Sequence, residues 1–189
     1  MHPGSSMNRT ARLSCCLLAL CMAAACHNAA PVADNATHAS AFLLDSLGKE
    51  VGKVTFTEMP GVAGVTVAIE ISRGATTGQH GIHVHATGQC AAAGAFASAG
   101  GHFNPLGKKH GLFAVDGPHA GDLEALTIDS KGHASFVART ARFTLSPGPN
   151  SLLDEDGSAV VLHALPDDQR TDPSGGSGAR VACGVVTRA

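Results

Sequence analysis

Histidine is the residue type in this chain that is best suited to chemistry, since 11 of the 189 residues are histidines. His83 and His85 stand two positions apart in an apolar run, and alternate residues of a β-strand point to the same face of a sheet. Two imidazoles on one face can bind one metal ion, but an isolated pair of this kind is weak evidence. Further candidate ligands follow in a loop-like stretch and in a later apolar run: His102, His110, His119, Asp122 and His163.

Together these seven side chains predict a site for copper and zinc. Imidazole nitrogens bind both metals, and three histidines with one carboxylate suit tetrahedral zinc. Any one of these histidines taken alone would more often be structural or solvent-exposed than a ligand. The metal-site hypothesis therefore depends on the whole set and on a fold that brings its members together.

The segments that must position these ligands have the pattern of short β-strands. Residues 65–71 alternate with period two, and similar runs recur between glycine-rich turns, with no helical period of useful length. We predict an all-β fold, an antiparallel sandwich or barrel of about eight strands. The runs lie at residues 41–44, 54–57, 65–71, 81–85, 122–128, 134–145, 159–163 and 180–186.

Two long segments do not have the pattern of strands. Residues 87–119 are rich in Gly, Ala and His, and residues 164–179 are polar and contain Pro166 and Pro173. Loops of this length in a compact domain are usually functional or disordered. Because they contain or adjoin the candidate ligands, we predict that both are functional loops.

The amino terminus is typical of an export signal. Arg9 and Arg12 precede an apolar run at residues 13–25, which is too short to span a bilayer comfortably. Small residues then lead to Cys26, as in the lipobox of bacterial lipoproteins, where the cysteine is acylated. A plain signal peptide cut near Ala25 is the alternative. Both readings take the chain to the periplasm or cell envelope, and the first adds a lipid anchor.

The predicted organisation is a signal peptide at 1–25, a flexible tether at 26–39 and one domain at 40–189. The tether is Ala-rich and has no periodicity. The formal net charge of -2 gives no reason to expect a nucleic-acid partner. An acidic protein that binds an anion must concentrate positive charge locally.

The cysteines agree with export. Of six, Cys90 and Cys183 fall in the predicted domain, and an oxidising compartment favours a disulfide between them. Two unpaired buried thiols are the alternative. The other four lie in or directly after the signal: Cys15, Cys16, Cys21 and Cys26.

Six short strings contain or adjoin the candidate ligands. They are Gly81–His85 (GIHVH), Gly100–Pro105 (GGHFNP), Lys109–Gly111 (KHG), Pro118–Leu123 (PHAGDL), Val160–Ala164 (VVLHA) and Gly178–Val185 (GARVACGV). In order and approximate spacing they resemble the copper,zinc superoxide dismutase family in its exported bacterial form. The resemblance covers about residues 40–189. It implies an eight-stranded antiparallel Greek-key barrel or sandwich with two long functional loops.

The resemblance also implies a division of the ligands between the two metals. His102 would bind both ions as a bridging imidazolate. Copper would be held by His83, His85, His102 and His163, and zinc by His102, His110, His119 and Asp122.

Supporting roles follow from the same resemblance. Asp167 would link a copper ligand to a zinc ligand through their free ring N–H groups, which fixes ring orientation. Arg180 would guide the superoxide anion to copper, and His102 would supply a proton, so both are the implied catalytic residues. Cys90 and Cys183 match the intrasubunit disulfide of the family.

The implied function is disproportionation of superoxide to oxygen and hydrogen peroxide by Cu(II)/Cu(I) cycling, which would protect the cell envelope. The superoxide anion is then the substrate that the chain binds. The sequence leaves open whether the chain forms a homodimer and whether it is attached to a membrane through Cys26. The loop after His163 lacks the charged set that steers substrate in intracellular members. A non-enzymatic copper- and zinc-binding module of the same fold is one alternative, and a lipid-anchored adhesive sandwich domain is another.

Overall fold

The computed structural model describes residues 1–2 and 35–189. The predicted signal peptide beyond its first two residues, Cys26 and most of the predicted tether lie outside the described residues. Residues 35–189 all lie in one compact unit. No helix within the described ranges is long and apolar enough to cross a membrane.

The described part of the chain is built almost entirely of strands, which confirms the all-β prediction. Each of the eight predicted runs contains or overlaps a strand, and two short strands, Gly78–His80 and Thr187–Arg188, were not predicted. One 3-10 turn lies at Ala97–Ala99. The strands are β1 Thr37–Asp45, β2 Glu50–Glu58, β3 Val65–Ile71, β4 Gly78–His80, β5 Ile82–His85, β6 Leu126–Ile128, β7 Ala134–Thr140, β8 Ala159–His163, β9 Arg180–Val185 and β10 Thr187–Arg188.

An antiparallel eight-stranded sheet forms the body of the fold. Its order is β5-β8-β9-β1-β2-β3-β7, with β10 paired to β1, and β4 pairs with β6 in a separate ribbon. Strand β1 pairs with β2 along its length and with β9 at its end, where Leu44 faces Cys183. This branching lets one sheet curl around a single core.

Alternating side chains fill that core. In β3, residues Val65, Val67 and Ile69 are buried, while the residues between them are partly or fully exposed. Phe56 and Phe143 meet edge to face inside, with ring centroids 6.1 Å apart. Burial of each such side chain contributes roughly 1.5–3 kcal/mol. The core therefore gives the sheet edge a rigid support.

Strand β5 lies at that edge, and the long loop that follows it returns alongside. On one side β5 pairs with β8, so that His83 faces Val161. On its other side, single bridges join His83 to Asp122 and His85 to His102. Because the loop pairs back on the strand, candidate ligands that are far apart in sequence become neighbours.

Two predicted strands are shorter in the structure than in the sequence prediction. The run 122–128 forms a strand only from Leu126, because Asp122 makes a single bridge to His83 and its carboxylate faces the backbone N–H groups of Gly111 and His119. The run 134–145 ends as a strand at Thr140, after which Thr144 pairs with the backbone of Asn150.

Candidate metal centre

Four imidazoles converge at one end of β5 and β8. His83 and His85 come from β5, His163 ends β8, and His102 lies on the returning loop. Each offers one ring nitrogen, and the four nitrogens lie within 4.8 Å of one another. The rings of His83 and His102 stack with centroids 4.0 Å apart. We call this set the first ligand group.

Hydrogen bonds decide which nitrogen of each ring faces the centre of the first ligand group. His85 Nδ1 donates to the Gly100 carbonyl at 3.0 Å, and His163 Nδ1 donates to the Gly178 carbonyl at 3.2 Å. Their Nε2 atoms are left facing each other at 3.4 Å, and as acceptors both suit a metal ion. His83 uses Nε2 for Asp167 at 2.7 Å, which leaves its Nδ1 inward.

Two of the inward nitrogens are buried without any partner. His83 Nδ1 and His102 Nε2 have no hydrogen-bond partner among the described residues. Buried polar atoms are normally paired, so an unpaired one needs an explanation. A copper ion bound by the lone pairs of four imidazoles would give both atoms a partner. The donor set therefore fits copper.

A second ligand group lies on the other side of His102. Asp122 Oδ1 is 2.8 Å from His102 Nδ1, 3.1 Å from His110 Nδ1 and 3.3 Å from His119 Nδ1. An ion with bonds of 2.0–2.1 Å to a tetrahedral set separates its ligand atoms by about 3.4 Å. Three nitrogens and one oxygen at this spacing fit zinc.

His102 belongs to both groups. Its Nδ1 faces the second ligand group and its Nε2 faces the first. Only 4% of its side chain is exposed. One imidazole is thus placed so that each nitrogen can serve a different ion.

Asp167 connects the two groups from behind. Its Oδ2 accepts from His83 Nε2 at 2.7 Å and its Oδ1 accepts from His110 Nε2 at 2.9 Å. These three side chains are also close enough to hold an ion themselves. However, both distances are ordinary hydrogen-bond lengths, and the other nitrogen of each ring faces a ligand group. Asp167 is therefore placed to orient the two rings.

Burial keeps three histidines of the first ligand group, His83, His85 and His163, neutral. It lowers the pKa of His83 to about 4, in spite of the hydrogen bond to Asp167. It also lowers the pKa of His85 to about 2 and the pKa of His163 to about 3. At neutral pH these imidazoles keep free lone pairs, which is the form that binds a metal.

Charge accumulates instead in the second ligand group. Burial disfavours a charge on His110, but hydrogen bonds to Asp122 and Asp167 outweigh it and raise the pKa of His110 to about 9. Burial also disfavours charge on both acids. Their hydrogen bonds to histidines outweigh it and hold the pKa of each carboxyl well below its usual range. Two buried carboxylates are therefore ionised and can balance the charge of a divalent cation.

A cavity of about 440 Å³ opens onto both groups, and Arg180 lies in its wall. The guanidinium donates to the Phe96 carbonyl at 2.7 Å and to the Gly100 carbonyl at 2.6 Å. Burial lowers the pKa of Arg180, but a guanidinium stays charged at physiological pH. A fixed cation therefore faces any anion that enters beside His85 and His163.

Some residues that shape the site were not predicted from the sequence. A side chain at Gly175 would clash with Asp167 and His110. Asp172 accepts the backbone N–H of His110 at 2.9 Å and pairs with Lys109 at 3.1 Å. Glycine in a polar loop is the one sequence signal that pointed to such close packing.

The predicted disulfide is confirmed. Cys90 in the long loop is bonded to Cys183 in β9, with the Cα atoms 5.6 Å apart and a sequence separation of 93. Arg180 lies three residues before Cys183 in the same strand. The bond therefore fastens the loop that carries His102 to the strand that carries Arg180.

A β-barrel with two buried ligand groups that share one imidazole defines a class of dinuclear metalloproteins. Residues 50–186 match the family model described as copper/zinc superoxide dismutase (SODC). The chain belongs to this family. Membership confirms the predicted family and the predicted activity, that of an oxidoreductase acting on superoxide. It also confirms copper and zinc as the cofactors.

Bacterial relatives agree with the family model. The chain is 40% identical over 149 residues to "Superoxide dismutase [Cu-Zn] 2" of Aquifex aeolicus (strain VF5), covering 78% of this chain and 85% of that protein. It is 42% identical over 142 residues to "Superoxide dismutase [Cu-Zn]" of Caulobacter vibrioides, covering 74% and 79%.

A solved structure confirms the fold. A superoxide dismutase-like protein from Bacillus subtilis superimposes with a TM-score of 0.72 at 35% sequence identity, covering 77% of this chain and 96% of that one. The predicted eight-stranded antiparallel Greek-key barrel is therefore the fold of this chain.

Proposed function

We propose that this chain converts superoxide to oxygen and hydrogen peroxide at the cavity beside Arg180, with copper in the first ligand group and zinc in the second. The observation that carries the proposal is the pair of unpartnered buried nitrogens, His83 Nδ1 and His102 Nε2. A non-enzymatic binding module is less favoured because the ligands open onto a cavity that contains a fixed cation.

Each metal has a separate task in this proposal. Bound copper supplies one-electron exchange in both directions, whereas zinc has no accessible redox change and fixes charge and geometry. Arg180 attracts the superoxide anion and donates hydrogen bonds to it beside His163. Because the whole chain carries a formal net charge of -2, this local cation has to draw in the anion.

His102 is the proposed proton carrier. The net reaction consumes two protons for each two superoxide anions, and one of them must arrive beside the bound substrate. His102 is one of the residues that line the cavity, and its Nδ1 is held in the second ligand group at 2.8 Å from Asp122. His102 Nε2 could hold that proton only while it is not bound to copper, and Nδ1 would keep the ring in place during the transfer.

We also propose the exported and lipid-anchored form that the amino terminus predicts. A signal peptide at 1–25 and acylation at Cys26 would leave residues 26–39 as a tether to the domain at 40–189. The Cys90–Cys183 disulfide supports export because such bonds persist in oxidising compartments. Mass measurement of the mature amino terminus tests acylation, with Cys26→Ala as the soluble control. Sedimentation of that variant would show whether the protein is a monomer or a homodimer, which the sequence leaves open.

The activity of the purified mature domain, with its copper and zinc content determined on the same sample, tests the main proposal. Dismutation that needs about one copper per chain and collapses in His102→Ala is the expected result. His163→Ala should abolish activity and keep the fold and the zinc. His133→Ala, at an exposed turn, is the matched control and should change nothing. A fully loaded protein without activity would favour the metal-binding module.

A further inference from the structure

Gln169 has an unusual backbone in the loop at residues 164–179. Its φ is 60°, in the left-handed region that non-glycine residues seldom adopt, and it is only 6% exposed. Such a conformation costs free energy and persists only where the surroundings hold it, which happens most often at functional sites. A long polar side chain in this position requires a reason.

Every polar atom of Gln169 has a partner. Its backbone N–H donates to Asp167 Oδ1 at 2.7 Å, and its carbonyl accepts from the Phe113 N–H at 3.2 Å. Its Nε2 donates to Asp167 Oδ2 at 2.8 Å and to the Leu123 carbonyl at 3.0 Å. Its Oε1 accepts from the Leu112 N–H at 3.2 Å.

These partners fix which end of the amide is which. Nε2 faces two oxygens and Oε1 faces an N–H group, so the reversed orientation would oppose like groups at all three contacts. Glutamate would place a second carboxylate against Asp167. A residue of similar length without the amide would leave the Leu123 carbonyl and the Leu112 N–H unpaired.

The amide completes the environment of Asp167. The terminal torsion of an aspartate is broad, so its carboxylate plane has to be set by its partners. His83 and Gln169 Nε2 donate to Oδ2, while His110 and the Gln169 backbone donate to Oδ1. Gln169 therefore supplies one donor to each oxygen and holds the carboxylate in the plane that both rings require.

We infer that Gln169 is a positioning residue for the metal centre, acting through Asp167 on one ring of each ligand group. The inference rests on the proposed ligand roles of His83 and His110. Gln169 touches neither metal group directly. Its loss should loosen the hold of the site on both ions and leave the barrel intact.

Metal release from the mature protein loaded with copper and zinc tests the inference. Gln169→Met is expected to release zinc to excess chelator about 3- to 10-fold faster, below the 10- to 100-fold typical for direct partners of ligands. Gln169→Glu should release it faster still. The electron paramagnetic resonance spectrum of copper should shift in both variants. Gln79→Met, at an exposed glutamine of β4, is the matched control and should match the wild type.

A double-mutant cycle separates this role from simple packing. In an Asp167→Asn background, Gln169→Met should change zinc release less than twofold, because the residue through which it acts is already altered. Should Gln169→Met fail to fold, Gln169→Gly removes the same amide while glycine accepts the left-handed backbone.

Two results would overturn the inference. Wild-type release rates and an unshifted copper spectrum in Gln169→Met and Gln169→Glu would refute the inference and leave the proposed function intact. The same fold-change in the Asp167→Asn background would also refute it, since it would show an independent structural role. A wild-type protein that holds neither metal would instead overturn the proposed function, and this inference with it.

Discussion

Zinc affinity of the metal-free protein should rise steeply with pH, because zinc must displace a proton from His110. The pKa of His110 is raised to about 9 by its hydrogen bonds to Asp122 and Asp167, which outweigh burial. Below that pH the ring carries protons on both nitrogens. The lone pair of Nδ1, which faces the second ligand group, then becomes available only when the proton leaves.

The size of the effect follows from the fraction of His110 that is unprotonated. With a pKa of about 9, that fraction grows about 50-fold between pH 7 and pH 9, equivalent to about 2 kcal/mol of zinc-binding free energy. A histidine with an ordinary pKa of about 6.5 would give less than a twofold change over the same range. The two cases are easily distinguished.

Competition with a chromophoric chelator at pH 7, 8 and 9 measures this affinity, and calorimetry in two buffers gives the protons released. About one proton per zinc is expected at pH 7. Asp167→Asn removes one carboxylate from His110, so its affinity should depend less on pH. Copper affinity is an internal control, since His83 and His85 have lowered pKa values and are neutral throughout. A flat zinc affinity between pH 7 and 9 would refute the reasoning.

The same proton affects folding of the metal-free domain. A raised pKa means that the folded state binds the proton more tightly than the unfolded chain. The stabilisation is fully present below pH 6.5 and is lost as pH rises through about 9. Denaturant titrations of metal-free protein at pH 6 and pH 9.5 should show the decrease, and Asp167→Asn should reduce it.

Three substitutions give further predictions. Gly175→Ala drives a methyl group into the Asp167 carboxylate, so the protein should purify with less zinc and a lower melting temperature; full zinc content would contradict this. Arg180→Ala removes the cavity cation, so pulse radiolysis should show kcat/KM reduced about tenfold or more and a weaker salt dependence, and an unchanged rate would exclude electrostatic guidance. Cys90→Ser removes the disulfide to Cys183, which spans a sequence separation of 93, so the free energy of unfolding measured with denaturant should fall by about 4–5 kcal/mol. A decrease below about 1 kcal/mol would show that loop closure contributes little.

The convergence of the candidate ligands could be predicted in part because some of their spacing follows a local pattern. His83 and His85 share a face through the period of two in a strand, and the structure buries both on β5. The candidate ligands on the long loop and on β8 are brought to the same edge of the sheet. The motif strings supplied the division between the metals, which spacing alone could not give.

The support around the ligands was less predictable. Gln169 has no periodic or motif signal, and its contact with Leu112 joins residues 57 positions apart. The predicted end of the strand at residues 134–145 was wrong for a related reason. The apolar run continues past Thr140, but the backbone leaves the sheet there. Such contacts depend on the path of a loop through space, and no local pattern encodes that path.

The peptide carbonyl of Gly100 connects His85 and Arg180. The oxygen of Gly100 accepts from His85 Nδ1 and from the Arg180 guanidinium, and its segment is held to the barrel by the disulfide at Cys90. Reduction of that bond should free the segment, so that the proposed copper ligand His85 and the proposed anion guide Arg180 lose their alignment together. The proposed activity would therefore depend on the compartment: a chain kept among cellular thiols should be inactive, and one in an oxidising compartment should be active.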